Sequence, residues 1–107
     1  MSGLRHTGLP PAAIEGIVQT LSRHAGVDAA ILYGSRAKGT HRPGSDIDLT
    51  LTGKLDYDEL LVIETELDAL MLPYRIDLSL FDQLDNLELI EHIRRVGQTL
   101  YRRVPDL

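Results

Sequence analysis

The sequence predicts an α/β fold in which a small mixed β-sheet packs against helices. Apolar side chains recur at helical spacing in three segments, and these segments alternate with three short runs typical of strands. A length of 107 residues, with 43% hydrophobic and 25% charged residues, suits one globular domain. We therefore expect a single domain over residues 1–107, with its core at about 11–103.

The first half of the chain reads as a helix, a strand and a loop. A helix is predicted over Pro11–Ala25, because proline suits a first helical turn and apolar residues follow at i, i+3, i+4 and i+7. Val27–Tyr33 is short and mostly apolar, which indicates a buried strand. Gly34–Ser45 is rich in Gly, Ser, Thr and Pro, so we expect mainly loop, with room for a helical turn at its start.

Two alternating runs flank the second helix. Asp46–Thr52 alternates strictly between polar and apolar residues, as a half-buried strand does. Asp56 with Glu59 resembles a capping box and begins a helix that Pro73 ends. Arg75–Leu80 alternates again and predicts a third strand.

The last apolar stripe predicts a closing helix. It consists of Leu89, Ile93, Val96 and Leu100, with Gly97 as its weak point. The predicted order is helix, strand, loop, strand, helix, strand, helix. The link between the first two strands is too long for a tight hairpin, and either direction of pairing is compatible with it.

Composition excludes several classes of function. Eleven Lys and Arg against sixteen Asp and Glu give a net charge of −5, which makes general nucleic-acid binding a poor candidate. The chain has no Cys, so disulfides, thiolate metal sites and a thiol nucleophile are excluded. No apolar run approaches the roughly 18 residues of a membrane span, and residues 1–9 lack the apolar core of a secretory signal. We expect a cytoplasmic protein without membrane contact.

Three carboxylates are candidates for a metal site. Asp46 and Asp48 project from the same side of one predicted strand, and Asp77 lies on the polar face of the next. If the two strands are neighbours, the three converge, and hard oxygen ligands of this kind favour Mg²⁺ or Mn²⁺. Acids on a solvated face are an equally good explanation of the triplet alone, although Asp is depleted in strands.

The loop after the first strand favours the metal site. Its sequence is Gly34-Ser35-Arg36-Ala37-Lys38-Gly39. Glycine lets backbone N–H groups approach phosphate, and the Ser35 hydroxyl adds a donor. The whole loop, Gly34–Ser45, carries the three basic residues Arg36, Lys38 and Arg42 and no acid, whereas Asp46–Glu91 carries thirteen acids and two bases. A basic glycine-rich loop beside an acid cluster suits a metal–triphosphate ligand.

These residues resemble the signature of a known superfamily. Gly34-Ser35, ten residues, and then Asp46-Ile47-Asp48 are similar to the G-S-x10-D-x-D pattern of the DNA polymerase β-like nucleotidyltransferases. The short length, Arg36 and Gly39, and the closing Ile93–Tyr101 segment look like its minimal nucleotidyltransferase (MNT) branch, of the MntA antitoxin type. The resemblance covers about Pro11 to Arg103 and implies the nucleotidyltransferase fold.

The resemblance also implies roles for individual residues. Asp46 and Asp48 would bind two Mg²⁺ ions, and Asp77 would bind the catalytic ion and help activate the acceptor hydroxyl. Gly34 and Ser35 match the phosphate-binding pair. The remaining nucleotide contacts expected are Arg36, Lys38 and Ser45. The reaction implied is transfer of NMP, with ATP as the expected donor, and release of pyrophosphate.

The size of the chain bears on the acceptor. Larger relatives hold the acceptor with a second domain that this chain lacks, and MNT proteins commonly pair with a HEPN-domain toxin. The resemblance therefore implies an antitoxin that transfers AMP to a tyrosine of the toxin. Two alternatives remain: a stand-alone nucleotidyltransferase for a small hydroxylated molecule such as an aminoglycoside, and an antitoxin that neutralises its partner by contact alone.

Overall fold

A four-stranded mixed sheet organises the part of the chain that the computed structural model describes, residues 6–104. The elements of that part are, in chain order, α1 (Pro11–Ser22), β1 (Val27–Tyr33), α2 (Gly34–Lys38), β2 (Ile47–Gly53), α3 (Tyr57–Asp68), β3 (Ile76–Leu80), α4 (Leu87–Val96) and β4 (Gln98–Arg102). A short 3-10 helix, Phe81–Gln83, follows β3 directly.

The strands lie in the order β3-β2-β1-β4. β1 pairs antiparallel with both β2 and β4, whereas β2 and β3 are parallel and are joined through α3. The sequence left the direction between β1 and β2 open, and the structure makes it antiparallel despite the long connection. α2 and the following loop take up that connection.

The main core lies between one face of the sheet and the helices α1 and α3. The apolar positions of the alternating strands point to this face, so that Leu49 of β2 and Leu78 of β3 are buried together with Ile17 of α1 and Ile63 of α3. The opposite positions of the same strands, which include Asp48, therefore emerge on the other face. The predicted α/β architecture, with a mixed sheet and packed helices, is confirmed.

The other face of β1 is partly covered by α4. Ile93 is buried although it lies outside the main core cluster, and α4 packs against β1 and α2. At Gly97, directly after α4, an added Cβ would lie 2.7 Å from Ile31 Cγ2 of β1. The absence of a side chain at this position lets the end of α4 approach the sheet closely.

The prediction of a helix running to Leu100 is wrong. α4 ends at Val96, Gly97 adopts an extended conformation, and the chain continues as β4 along the edge of β1. Leu100 reaches the main core from the strand. Its spacing from Ile93 and Val96 imitates a helical stripe, but strand pairing with β1 supplies backbone hydrogen bonds over these residues instead.

The first helix is also shorter than predicted. α1 ends at Ser22, and Arg23 is its C-cap. The guanidinium of Arg103 donates to the carbonyl oxygens of Ser22, His24 and Val27, so carbonyls at and beyond the helix end are satisfied by a side chain rather than by further helix. The start of α1 at Pro11 is confirmed.

The start of α3 also follows the prediction. The Asp56 side chain accepts a hydrogen bond of 2.9 Å from the Glu59 N–H, as expected of an N-cap. Within residues 6–104, none of the helices has the length and apolar character needed to cross a membrane.

Candidate active site

The chain turns sharply from β1 into α2 at Gly34. This residue has φ +75°, in the left-handed region that favours glycine. A Cβ at Gly34 would collide with Oδ2 of Asp48, the residue that β2 places opposite Tyr33. Glycine is therefore required at position 34 for two reasons: the backbone angle is left-handed, and the main chain lies close to a carboxylate.

The parallel pairing of β2 and β3 brings two of the predicted carboxylates together. Asp48 and Asp77 are register partners in neighbouring strands. Asp46 lies one residue ahead of β2 and is exposed. Burial raises the pKa of Asp48, and the negative charges of Asp77 and then Asp46 raise it further. Two of the three predicted acids thus act electrostatically on the third.

The chemistry of this donor set fits a hard divalent cation. Carboxylate oxygens are the ligands that Mg²⁺ prefers, and a cation would offset the repulsion that, after burial, raises the pKa of Asp48. As the side chains stand, the described residues contain no group of three or more His, Asp or Glu side chains arranged to hold a metal ion. The observed juxtaposition is therefore the pair Asp48 and Asp77, with Asp46 next to it in sequence.

Tyr33 forms the wall of the site at the end of β1. Its side chain is buried, and burial raises the pKa of its hydroxyl, while a hydrogen bond with Ser79 acts in the opposite direction. The charges of Asp48 and Asp77 also raise it. Ser79 in turn donates to the Thr50 hydroxyl at 2.9 Å. Polar side chains of β2 and β3 thus continue the site beyond the carboxylates.

His92 of α4 reaches the turn from the other side. Its Nε2 atom accepts a hydrogen bond of 3.2 Å from the Gly34 N–H. Its ring meets that of Tyr33 edge to face, with 6.2 Å between centroids. The His92 side chain is partly buried at the site. In the sequence, His92 lies three residues after Leu89 and four before Val96. Residues at these spacings share one face of a helix, so the pattern could have placed His92 beside these two apolar residues.

The structure corrects the predicted role of Arg36. Its side chain is only 1% exposed, and its guanidinium donates to the carbonyl oxygens of Thr7, Pro43 and Ser45. It also stacks over the Tyr74 ring at 4.7 Å. A phosphate contact would need an accessible guanidinium with free donors. Arg36 instead fastens the loop ahead of Asp46 to α2.

The remaining loop residues take different positions. The Ser45 hydroxyl accepts a hydrogen bond of 2.8 Å from the Arg42 N–H and so closes the turn before Asp46. Lys38 is exposed in the last turn of α2, and Ser35 is half-buried directly after Gly34. A nucleotide contact from Ser35, Lys38 or Ser45 stays a prediction.

A cavity of about 410 Å³ lies away from the carboxylates. It is lined by Asp28, Ala29, Ile31, Thr52, Arg102 and Arg103. Ile31, the lining residue nearest to the site along β1, is two residues from Tyr33, and neither Asp48 nor Asp77 lines the cavity. The cavity is thus separate from the acid pair, and the chemistry of the side chains rather than cavity size identifies the candidate site.

Comparisons with known proteins show the family and the fold of the chain. Residues 15–106 match the family model for polymerase beta, nucleotidyltransferase. A search of curated protein sequences found no match. Among solved structures, a chain of a toxin–antitoxin complex with AMP-PNP superposes with a TM-score of 0.68 at 20% identity, over 84% of this chain and 73% of that chain.

Two further complexes are similar. A chain of the MntA–HepT toxin–antitoxin complex gives a TM-score of 0.64 at 16% identity, over 88% of this chain and 74% of that chain. The structure of a tri-AMPylated Shewanella oneidensis HEPN toxin in complex with an MNT antitoxin gives 0.64 at 17% identity, over 86% and 71%. These likenesses establish the fold. Since the family model matches most of the sequence, the chain belongs to the polymerase beta nucleotidyltransferase family.

Proposed function

We propose that the protein transfers AMP from ATP to a tyrosine hydroxyl of a HEPN-domain toxin, and that it acts as the antitoxin of the pair. The observation that carries the catalytic part is the register pairing of Asp48 with Asp77 beside the Gly34 turn. This pairing sets two carboxylates of neighbouring strands against a turn from which a small helix begins. Family membership supports nucleotidyl transfer as the reaction class.

Carboxylates supply the metal-binding part of the proposal. Asp46, Asp48 and Asp77 would hold two Mg²⁺ ions, or Mn²⁺ in their place. When bound, these ions neutralise charge that develops on the phosphate oxygens. Burial and then the negative charges of Asp77 and Asp46 raise the pKa of Asp48, and a cation would relieve the part that is due to repulsion.

The α2 turn supplies the phosphate-binding part. The Ser35 hydroxyl and the N–H groups that follow Gly34 in the first turn of α2 would be the donors for phosphate oxygens. Lys38, exposed on the same short helix, adds positive charge that favours a triphosphate. Gly34 lets this backbone lie against the Asp48 carboxylate, so that the triphosphate and the metal ligands would meet.

The group transfer itself is a displacement at the α-phosphorus. A bond forms between the acceptor oxygen and the α-phosphorus, and the bond from that phosphorus to the oxygen bridging to the β-phosphorus breaks. Pyrophosphate leaves with the electron pair, and the hydroxyl proton passes to the carboxylate of Asp77. Positioning and charge stabilisation by the carboxylates and the turn supply most of the rate enhancement in such reactions.

Support for the protein acceptor comes from two sources. The described residues form a single sheet with its helices, so an acceptor would bring much of its own binding surface. The similar structures include one of a tri-AMPylated HEPN toxin in complex with an MNT antitoxin, and another of a toxin–antitoxin complex with AMP-PNP. An antitoxin that modifies a toxin inside the cell would be cytoplasmic.

The test combines an acceptor assay with inactive variants. The protein is incubated with Mg²⁺, ATP labelled on the α-phosphate, and the HEPN-domain protein of a neighbouring reading frame. Gel electrophoresis and mass spectrometry then locate the label. We expect AMP on a toxin tyrosine, loss of labelling in EDTA, and loss in the Asp46→Ala/Asp48→Ala double variant. Asp58→Ala, at an exposed position of α3, is the matched control and should label normally.

The same assay separates the alternatives. Label on an added aminoglycoside instead of a protein would favour a stand-alone enzyme for small molecules. A double variant that still protects cells from the toxin as well as the wild-type protein would contradict the catalytic mechanism and favour neutralisation by contact alone.

A further inference from the structure

His92 connects helix α4 to the first residue of α2, across 58 positions of sequence. The Gly34 N–H donates to His92 Nε2 at 3.2 Å. This N–H is one of the groups at a helix start that have no partner within the helix. The N-cap residue of α2, Tyr33, provides no side-chain cap, so His92 takes the place of a local cap.

This hydrogen bond determines the form of the imidazole. Gly34 has one N–H, which donates, so Nε2 must carry a free electron pair. The ring is then uncharged, with its hydrogen on Nδ1. The edge-to-face contact with Tyr33, at an interplanar angle of 82°, fixes the plane of the ring that makes the bond.

The commitment of the Gly34 N–H has a consequence for phosphate binding. Because the Gly34 amide donates to His92, it is not a free donor for a phosphate oxygen. The donors that stay available are the Ser35 hydroxyl and the N–H groups that follow Gly34. Their direction depends on how Gly34 is held, because α2 has only five residues.

We propose that His92 is a positioning residue for the nucleotide. It anchors the Gly34 amide and thereby aims Ser35 and the next amides of α2 at the triphosphate. This inference rests on the proposed function, because it presumes that the turn binds a nucleoside triphosphate. It adds α4, which lies outside the G-S and D-x-D residues, to the elements that shape the site.

Two polar substitutions test the role of the Nε2 atom. In His92→Gln the side-chain oxygen reaches about the position of Nε2, whereas in His92→Asn the amide group corresponds to Nδ1 and falls short of Gly34. We expect His92→Asn to raise the KM for ATP about fivefold to tenfold, as loss of one hydrogen bond does, with kcat changed less than about twofold. His92→Gln should restore a KM near that of the wild-type protein.

A spectroscopic measurement checks the bond without activity. In ¹⁵N-labelled protein, the His92 Nε2 resonance should have the shift of an unprotonated imidazole nitrogen. The amide resonance of Gly34 should move in His92→Asn and stay near its place in Glu91→Gln. The latter substitution is the matched control, since Glu91 is exposed on the same helix.

The outcomes distinguish the two proposals. If the wild-type protein transfers AMP while His92→Asn keeps the same KM, or the Gly34 resonance does not move, the role of His92 is wrong and the proposed function stands. If the wild-type protein neither binds nor transfers ATP, both proposals fail. A raised KM in both His92→Asn and His92→Gln, with equal loss of folding stability, would also overturn the positioning role.

Discussion

Two residues of the loop after β1, Gly34 and Arg36, determine the local structure in opposite ways, one by lacking a side chain and the other by the contacts of a large one. Gly34 is the first case, because a side chain there would occupy the place of the Asp48 carboxylate. Arg36 is the opposite case, since its large charged side chain is buried and donates to three carbonyl oxygens. The loop sequence predicted the importance of both positions, but it could not show that the arginine points inward.

Replacing Gly34 by alanine should damage both folding and transfer. The left-handed backbone angle costs a residue with a Cβ about 1–3 kcal/mol, and the methyl group would displace the Asp48 carboxylate. We expect Gly34→Ala to lower the free energy of unfolding in urea by that amount and to abolish labelling by ATP. Gly44→Ala is the control, because a Cβ there meets nothing within 4 Å. A fully active Gly34→Ala would contradict the close approach described here.

Replacing Met71 by glycine should stabilise the protein. Met71 has φ +56° and is 85% exposed, so the left-handed strain is offset by little packing. After allowing for the greater chain entropy of glycine, we expect Met71→Gly to gain about 0.5–1 kcal/mol and to raise Tm by a few degrees. Met71→Ala should give no such gain, and a glycine variant that melts below the alanine variant would contradict this account.

Elements are joined here by a small number of side chains that span long stretches of sequence. His24, just beyond α1, bonds to Glu66 of α3 at 2.8 Å, and Arg23 lies 3.6 Å from the same carboxylate. The hydrogen bond from His24 lowers the pKa of Glu66 below its ordinary value of 4.5, and the charges of His24 and Arg23 add to this. This contact ties the two helices that cover the main core.

The tie between α1 and α3 should make stability depend on pH. A carboxyl group whose pKa is lowered by folding stabilises the fold at pH above its ordinary value, and the contribution is lost as the pH falls through the lowered folded pKa. Wild type should therefore exceed Glu66→Gln in urea midpoint at pH 7. The difference should shrink below pH about 4.5 and disappear in stronger acid. Glu64→Gln, on the same helix, should show no such trend.

Local sequence patterns predicted the start of α3 but not the strand β4. Asp56 was identified as a helix cap from its neighbours alone, because capping depends on residues three positions apart. The strand β4 was not predicted, because Leu100 continues a helical pattern in the sequence. The strand forms by pairing with β1, which lies some seventy positions earlier in the chain. Patterns within one turn or one strand were therefore predictable, and pairing between distant segments was not.

The fold as a whole places the candidate carboxylates Asp48 and Asp77 on the sheet face opposite the main core. The prediction that Asp46, Asp48 and Asp77 converge was conditional on their strands being neighbours. The parallel pairing of β2 and β3 fulfils that condition and makes Asp48 and Asp77 register partners. His92 was missed because its partner lies 58 positions away. The carboxylates were predictable because alternation fixes the face of a strand, whereas the support from α4 depends on how a helix packs across that face.

Substitution of Arg36 should lower the stability of the whole fold. Its guanidinium joins the segment before α1, the loop before β2 and the ring of Tyr74. Arg36→Met would leave buried carbonyl oxygens without donors, so we expect a loss of about 3 kcal/mol or more in urea unfolding. Arg36→Lys should recover part of the loss, because it keeps the charge but not the planar fork. The exposed Arg42→Met is the control and should change stability by less than about 0.5 kcal/mol.

Residues 6–9, which precede α1, contact α2 and the core. The carbonyl of Thr7 accepts from Arg36, the His6 ring bonds to the Ala37 carbonyl at 2.7 Å, and Leu9 is buried. A recombinant version that began at Pro10 would keep every helix and strand named above but would lose these contacts with α2 and the core. Such a trimmed protein should show faster amide exchange in residues 34–46, so fusion partners are better attached at the far end.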